Sequence, residues 1–177
     1  MARLLQAAQL GHPILRKKAQ IVKNINDKKI QILIDDMLAT LIDSEGMGMA
    51  APQVYKLKQI LIVASHPNSR YPNAPKMKPT PMINPKIIAK SKVFEKSWEG
   101  CLSIPGIRAL VPREKWVKIQ YYNRNGKETS QRFEGFIARI FLHEFDHLFG
   151  KLFVDRVVDS KDFITEKEYF KLFSKKK

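Results

Sequence analysis

Two histidines towards the C-terminal end of the sequence have the spacing of metal ligands. Residues 143–147 read His-Glu-Phe-Asp-His, and on a helix His143 and His147 lie on one face, so both imidazoles can reach one cation. In such sites the glutamate that follows the first histidine, here Glu144, does not bind the metal. It accepts a proton from the water that the metal activates. The alternative is a polar helix face with two solvated histidines. Against it, the stretch 136–153 is strongly apolar, and unpaired polar groups there would be costly.

A metal held by two histidines needs a third protein ligand. The extended zinc-protease motif HExxHxxGxxH is excluded, because Gly150 is in place but Phe153 stands where its third histidine would be. Two possibilities remain. One is a downstream glutamate, Glu166 or Glu168. The other is Cys101, because a thiolate with two imidazoles is an established catalytic set that leaves a coordination position open, although a lone cysteine is more often a small buried apolar residue.

Two segments that contain small residues support an active site that includes Cys101. Cys101 lies in Glu-Gly-Cys-Leu-Ser, residues 99–103, where Gly100 permits backbone geometry that a side chain would block. Upstream, residues 46–53 read Gly-Met-Gly-Met-Ala-Ala-Pro-Gln and end in an amide side chain. This second segment is not a phosphate-binding loop, because Ala51 replaces the third glycine of that pattern. On its own it is equally compatible with a tight turn.

The elements that must position these residues follow from hydrophobic periodicity. Helical spacing predicts helices over 27–44, where Asp27 can cap the first turn, over 134–149 and over 161–173. The proline-rich stretch 66–81 is predicted to be a surface loop. Asn125-Gly126 is a hairpin signal, and apolar or alternating runs predict strands at 60–64, 82–85, 86–93, 116–122 and 129–133. Because strands and helices are segregated, we expect an α+β fold with a mainly antiparallel sheet.

Length and composition limit the class of protein. The chain has 177 residues, 44% of them apolar and 28% charged, which predicts one soluble domain over 1–177 with a basic tail at 174–177. A single cysteine excludes an intramolecular disulfide. Because no signal peptide or apolar span is found, we expect a cytoplasmic protein with no membrane partner. The net charge of +15 predicts a polyanionic neighbour such as nucleic acid or a ribosome.

Three blocks of the sequence together resemble the peptide deformylase family. Residues 46–53, 99–103 and 143–147 occur in the order and rough spacing of that family's motifs. The flanking segments GHPILRKKA, IPGIRALVPR and GKLFVDRV are similar as well, so the resemblance covers most of the chain and disfavours a glutamate as third ligand. It implies mainly antiparallel strands packed around a central metal-binding helix, with an N-terminal and a C-terminal helix.

The resemblance also implies a reaction and a set of catalytic groups. The protein would be a metal-dependent hydrolase that removes the formyl group from the N-terminal formyl-methionine of newly synthesised polypeptides and releases formate. Glu144 would be general base and then acid, while the Gln53 side-chain amide and the Leu102 N–H would donate to the formyl oxygen. One divalent cation, Fe(II) in the cell with Zn(II) or Ni(II) also bound by purified protein, would be held by Cys101, His143 and His147.

Glycines would line the path of the substrate if the resemblance holds. Gly46 and Gly48 would allow the substrate backbone to approach and pair with this segment as a strand, and Gly100 belongs to the same lining. The methionine side chain would enter an apolar pocket beside the metal helix. Leu142, directly before the first histidine, stands where many family members have glutamine.

Charged residues near the cysteine loop would support it. Glu99 would anchor this loop through Arg108 or Arg139. Arg139 lies one turn before His143, on the face of the metal ligands. Two interpretations are equally compatible with this position. In one, Arg139 pairs with Glu99 or forms a wall of the substrate pocket, and in the other it is an exposed surface arginine.

A second hypothesis is a non-catalytic basic module that binds RNA or ribosomes and carries a degenerate site. The charge and Leu142 favour it, whereas the complete set of chemistry-bearing residues disfavours it. The two roles can coexist, because an enzyme acting on chains that leave a ribosome gains from a basic surface. The Lys-rich C-terminal helix and the tail 174–177 are the candidate ribosome contacts, and no DNA partner is expected.

Overall fold

The helices and strands of the protein were assigned from a computed structural model that describes residues 2–68 and 71–173. Within these residues the elements are, in order, α1 (Lys28–Asp43), β1 (Gly48–Ala50), β2 (Ile60–Ser65), β3 (Met77–Lys90), β4 (Phe94–Cys101), β5 (Ile104–Glu114), β6 (Trp116–Tyr122), β7 (Glu128–Glu134), α2 (Gly135–His147), β8 (Phe163–Thr165) and α3 (Glu166–Phe173). Short 3-10 helices lie at Pro13–Arg16, Ala51–Val54, Phe153–Arg156 and Ser160–Asp162.

The strands form two sheets. The first has the order β1-β2-β3-β6-β7 and the second β4-β5-β8, and each pairing between neighbouring strands is antiparallel. The predicted α+β class with antiparallel sheets is therefore confirmed. In the first sheet β1 is an edge strand, so one side of it is free of strand partners among the described residues.

β2 carries the two largest apolar clusters on its opposite faces. Because successive strand residues point to opposite sides of a sheet, Leu61 and Val63 pack in the cluster that includes α2, whereas Ile60 and Ile62 pack in the cluster that includes α1. All six residues of β2 are buried. This double burial explains why the sequence shows an unbroken apolar run here rather than an alternating one.

α2 contacts both sheets. Phe141 packs in the apolar cluster of the first sheet. On the other side, the Arg139 guanidinium donates to the backbone carbonyls of Glu95 in β4, at 2.6 Å, and of Val111 in β5, at 2.8 Å. α2 thus holds the two sheets together, because its apolar side packs on the first sheet and its Arg139 bonds to the second.

β3 corrects the prediction of a loop over 66–81. The strand begins at Met77, inside that stretch, and runs without a break through both predicted strands, 82–85 and 86–93, to Lys90. Its prolines fit because β3 pairs with β2 only up to Ile83 and with β6 only from Ile83 onwards, so Pro79, Pro81 and Pro85 each have a strand partner on one side only. A proline without an N–H is tolerated where one side of a strand has no partner.

Two further parts of the prediction were incomplete. β4 and β5 were not predicted as strands, since β4 is mostly exposed or half-buried and lacks a run of buried apolar residues. The last helix begins at Glu166 rather than at 161, because residues Phe163–Thr165 pair with β5 as a strand.

The helix predicted over 27–44 is confirmed, and Asp27 accepts a hydrogen bond from the Lys29 N–H as its cap. The tail 174–177 lies outside the described residues.

None of the helices within the described ranges combines the length and the apolar character that a membrane span requires.

Candidate active site

Three potential metal ligands from two elements converge. Cys101 ends β4, and His143 and His147 lie on the last turns of α2. Their ligand atoms are all within 4.8 Å of one another, and the Cys101 Sγ is 3.4 Å from the His147 Nε2. Metal bonds of about 2.0–2.3 Å suit this spacing, and one thiolate with two imidazoles leaves a coordination position open for chemistry. The donor set therefore fits a catalytic divalent cation.

Glu99 fixes the orientation of the first histidine. This carboxylate is 4% exposed and lies 2.9 Å from the His143 Nδ1, which leaves the Nε2 of that ring to face the cluster. Burial acts to raise the pKa of Glu99, but the charge of Arg113 and hydrogen bonds from His143 and Arg113 outweigh it, so the pKa lies well below its usual value. The ionised carboxylate is the kind of outer partner that orients a metal-binding imidazole.

Arg113 is the main partner of Glu99, a role that the sequence prediction gave to Arg108 or Arg139. Arg113 donates to both Glu99 oxygens, at 2.9 and 3.0 Å, and Arg139 adds a bond of 2.8 Å. The prediction for Arg108 is wrong, because Arg108 pairs with Gly100 across β4 and β5 and so points to the opposite face from Glu99, which is paired with Ala109.

A second carboxylate continues this buried network. Asp146 accepts from Arg113 at 2.5 Å and from Arg156 at 2.6 and 3.0 Å. Burial acts to raise the pKa of Asp146, but these hydrogen bonds and charges lower it. Asp146 thus supports the helix between the two histidines and is not part of the ligand cluster. Sequence analysis missed Arg113 and Arg156, since their strand and turn positions give no motif of their own.

Glu144 lies buried beside the ligand cluster. It is 4% exposed, and its Oε2 has no hydrogen-bond partner among the described residues. Burial raises the pKa of Glu144 to about 7. A carboxyl group with such a pKa can both accept and release a proton near neutral pH. Gly48 packs directly on this side chain, since a Cβ at residue 48 would be 2.5 Å from the Glu144 Oε1.

Gln53 is held in place from both ends of its amide. Its Oε1 accepts from the Ala50 N–H at 2.8 Å, and its Nε2 lies 3.4 Å from the Cys101 Sγ and 3.3 Å from the Ser103 Oγ. The side chain is 2% exposed. The donor end of the amide therefore points at the ligand cluster.

A cavity of about 230 Å³ opens at this cluster. One side is apolar and comes from α2, with Phe136 and Ile140. Arg139 also lines it, pairs with Glu99 and is 7% exposed, so the surface alternative for this arginine is wrong, while its contact with substrate stays a prediction. The structure brings all but one of the remaining predicted site residues to the same cavity, namely Gly46, Gly48, Gln53, Glu99, Gly100, Cys101, Leu102, His143 and Glu144. His147 is 1% exposed and lies behind this lining, in the ligand cluster.

The structure shows the surroundings of four further residues that the sequence analysis singled out, namely Gly100, Leu142, Glu166 and Glu168. Gly100 has ordinary strand geometry, since a Cβ there would make only van der Waals contact with Arg108, at 3.4 Å, so the expected special backbone is not needed. Leu142 is buried in the apolar cluster of the first sheet. Glu166 and Glu168 bond to Arg108 and Lys171 and not to the ligand cluster.

Known proteins match the chain over most of its length. The sequence profile of the family described as Polypeptide deformylase matches residues 4–163. The chain belongs to this deformylase family. Among relatives, the deformylase called Peptide deformylase 2 of Nostoc sp. is 53% identical over 172 residues, 97% of this chain and 96% of that protein. Peptide deformylase 2 of Shewanella oneidensis is 42% identical over 152 residues, 86% and 83% of the two chains.

Solved deformylase structures share the fold. A class I type b peptide deformylase from Acinetobacter baumannii with Met-Ala-Ser bound has a TM-score of 0.87 and 43% identity, over 89% of this chain and 100% of that one. The peptide deformylase from Thermotoga maritima has a TM-score of 0.78 and 34% identity, over 89% and 99%. The protein is thus a hydrolase that removes the N-formyl group from nascent polypeptides.

Proposed function

We propose that Cys101, His143 and His147 hold the catalytic cation of this deformylase and that Glu144 is its proton-transfer group. The observation that carries the proposal is a buried carboxyl with an unpartnered oxygen beside a thiolate–imidazole cluster at the wall of a cavity. A divalent metal bound there supplies Lewis-acid chemistry, polarising the formyl oxygen and activating water.

Glu144 moves the proton of the reaction. As a base it takes a proton from the attacking water, and the water oxygen forms a bond to the formyl carbon. As an acid it returns that proton to the amine nitrogen as the C–N bond breaks. The products are formic acid and a free N-terminal amine. The proton that formic acid loses at neutral pH is taken up by the amine, so formate and an ammonium group result and atoms and charge balance without any further reactant.

Gln53 and Leu102 stabilise the negative charge that grows on the formyl oxygen. The Gln53 amide is fixed by its bond from Ala50, so it costs no reorganisation at the moment of reaction. The Leu102 N–H follows Cys101 directly in the chain and lines the same cavity. Donors that are preorganised at the site of developing charge are usually the largest contribution to such catalysis.

The peptide binds along the edge of the first sheet. β1 is an edge strand, and an extended peptide can add to such an edge through main-chain hydrogen bonds. Gly46 and Gly48 line the cavity where a Cβ would meet Leu41 and Glu144, and the methionine side chain enters between Phe136 and Ile140. The Met-Ala-Ser complex of the Acinetobacter baumannii relative supports a peptide of this kind as ligand.

The ion in the cell is Fe(II), with Zn(II) and Ni(II) accepted by the purified protein, because a site with one sulfur and two imidazoles suits all three. The chain acts as a single catalytic domain in the cytoplasm, where a reducing compartment keeps the Cys101 thiol available.

A basic face of the first sheet supports contact with ribosomal RNA. Lys118 pairs with Arg132 across β6 and β7, and the neighbouring Gln120 pairs with Lys86 of β3, so three exposed cations share one sheet face. On the same face Arg132 forms an exposed ion pair with Glu134. The Arg132 guanidinium lies 4.1 Å from the centre of the Trp116 ring. Polyanions bind such surfaces through their phosphates. The contacts proposed from the sequence were the Lys-rich C-terminal helix and the tail 174–177. The tail lies outside the described residues, and its deletion should weaken co-sedimentation with ribosomes.

Formate release from formyl-Met-Ala-Ser tests the proposal. We expect turnover by anaerobically Fe(II)-loaded protein and a loss of about a thousandfold in Glu144→Ala, with bound metal retained. Glu168→Ala, which removes an exposed glutamate paired with Lys171, is the matched control and should keep wild-type activity. Undiminished activity of Glu144→Ala would reject the role of this residue.

A further inference from the structure

We infer that α3 forms the outer wall of the peptide pocket and that Glu166 positions Arg108 within it, so that this wall binds the peptide chain that follows formyl-methionine. The inference rests on the proposed function. Of the residues involved, Arg108 lies within the family match, whereas α3 with Glu166 lies beyond its end at residue 163.

Arg108 joins three separate segments. Its guanidinium donates through Nε and Nη2 to the Glu166 Oε1, at 3.2 and 2.8 Å, and through Nη1 to the Tyr71 Oη at 3.1 Å. It is 2% exposed, so these bonds replace water entirely. β5, the connection before β3 and the first turn of α3 therefore meet at one buried cation.

Aromatic rings hold α3 on the same surface. The Arg108 guanidinium lies 4.7 Å from the centre of the Tyr169 ring. The Trp98 ring is 5.6 Å from Tyr169 and 5.9 Å from Phe173, centre to centre. Rings and cation at these separations attract one another. An eight-residue helix is not stable alone, so these contacts keep α3 in place.

The wall begins next to the metal ligands. Tyr71, Arg108 and Glu166 line the same cavity as Cys101. A Cβ at Gly100, the residue before the cysteine, would lie 3.4 Å from the Arg108 Cζ. A peptide whose formyl group lies at the ligand cluster therefore passes this wall within a few residues, since an extended tripeptide spans roughly 10 Å.

The two sides of the cavity suit different parts of the peptide. Phe136 and Ile140 form an apolar side that suits the methionine side chain, because apolar surface is removed from water there without desolvating a charged group. The Arg108–Glu166–Tyr71 side offers polar atoms, which suit backbone amides. The Glu166 side chain is 37% exposed, and both bonds from Arg108 go to its Oε1, so its Oε2 is left as an acceptor for a peptide N–H.

A KM comparison between two substrates tests this wall. In Glu166→Ala we expect the KM for formyl-Met-Ala-Ser to rise about tenfold, with kcat within about twofold of wild type, because binding is lost equally in the ground and transition states. The KM for formyl-methionine, which lacks the following residues, should stay unchanged. Glu168→Ala on the same helix is the control and should match wild type with both substrates.

Trp98 fluorescence gives a readout that needs no turnover. In a Trp116→Phe background Trp98 is the single tryptophan, and its emission reports the docking of α3. Titration with the product Met-Ala-Ser should give a Kd about tenfold weaker in Glu166→Ala than in Glu168→Ala.

The outcomes separate this inference from the proposed function. Equal KM increases for both substrates, or equal Kd values for the two variants, would overturn the role of the wall. A wild-type protein that binds Met-Ala-Ser but releases no formate would reject the proposed catalytic assignment, while the two Kd values would still decide the role of Glu166.

Discussion

At the scale of single residues, Glu144 occupies the space that a side chain at residue 48 would need. The carboxyl is buried and is pressed against the Cα of Gly48, where a Cβ would be 2.5 Å from Oε1 and 2.6 Å from Cγ. The clash reaches Cγ and Cδ as well as the terminal oxygen, so the whole carboxyl group would have to shift. Gly48 therefore acts as a positioning residue for Glu144, the proposed proton-transfer group.

Gly48→Ala should displace Glu144 and lower kcat by about a hundredfold, since an error of about 1 Å in a reacting group has that order of effect. Steady-state formate release would measure it. Gly126→Ala in the β6–β7 hairpin is the control: it has a φ of +77° and open space around it, so it should cost stability of about 1 kcal/mol and leave kcat unchanged. Equal kcat values for Gly48→Ala and wild type would show that Glu144 is not held by this contact.

At the scale of elements, β4, β5 and α2 are tied together by buried charges. Glu99 of β4 accepts from Arg113 of β5 and from Arg139 and His143 of α2. Removing one member of such a group leaves the others as uncompensated buried charges, which is strongly destabilising. The network thus couples the stability of the fold to the orientation of a metal ligand.

Glu99→Gln should lower the free energy of unfolding by about 3–5 kcal/mol and weaken metal binding by about 10–100-fold. Urea denaturation and a Zn(II) competition titration would measure the two effects. Asp35→Asn is the control, because it breaks an ion pair with Arg124 in which both side chains are largely exposed, 49% and 40%, and should cost less than about 1 kcal/mol. A Glu99→Gln variant as stable as the control would contradict the structural role of the network.

The same elements show what the sequence could and could not predict. The periodicity of α1, α2, β2 and β6 was read correctly, because each has a clear apolar pattern. β4 is mostly exposed or half-buried, and β5 mixes the apolar residues Ile104, Ala109 and Val111 with the buried Arg108 and Arg113, so neither strand has a clear apolar pattern. Without those strands, the alternation of side chains could not be used to place Arg113 beside Glu99 and Arg108 on the opposite face. His143 and His147 could be proposed because their type and spacing carry the chemistry directly, whereas Cys101 was favoured over a downstream glutamate only by the resemblance of the three sequence blocks to the family.

At the scale of the whole molecule, two sheets and the helix between them separate catalysis from the charged surface. The ligand cluster and the cavity lie where α2 meets β1, β4 and β5, whereas Lys86, Lys118 and Arg132 lie on the outer face of the first sheet. The net charge of +15 could predict a polyanionic partner but not the face that contacts it, because that depends on strand register.

Replacing Lys86, Lys118 and Arg132 together by glutamine should reduce co-sedimentation with ribosomes at low salt, because fewer phosphate contacts are formed. Formate release from free formyl-Met-Ala-Ser should be unaffected. A variant with glutamine at residues 23, 28 and 29, three exposed lysines near the start of α1, has the same net charge. If both triple variants lost ribosome binding equally, general charge rather than this face would be responsible.

Cys101 of β4 and the two histidines of α2 form the proposed metal site, and Co(II) absorption tests this ligand set most directly. In Co(II)-substituted wild-type protein we expect a thiolate-to-cobalt charge-transfer band from Cys101, and this band should vanish in Cys101→Ser while α2 and both imidazoles remain. A band that persists in Cys101→Ser, or a wild-type protein that binds Co(II) without one, would contradict the assignment of Cys101, His143 and His147 as the ligands.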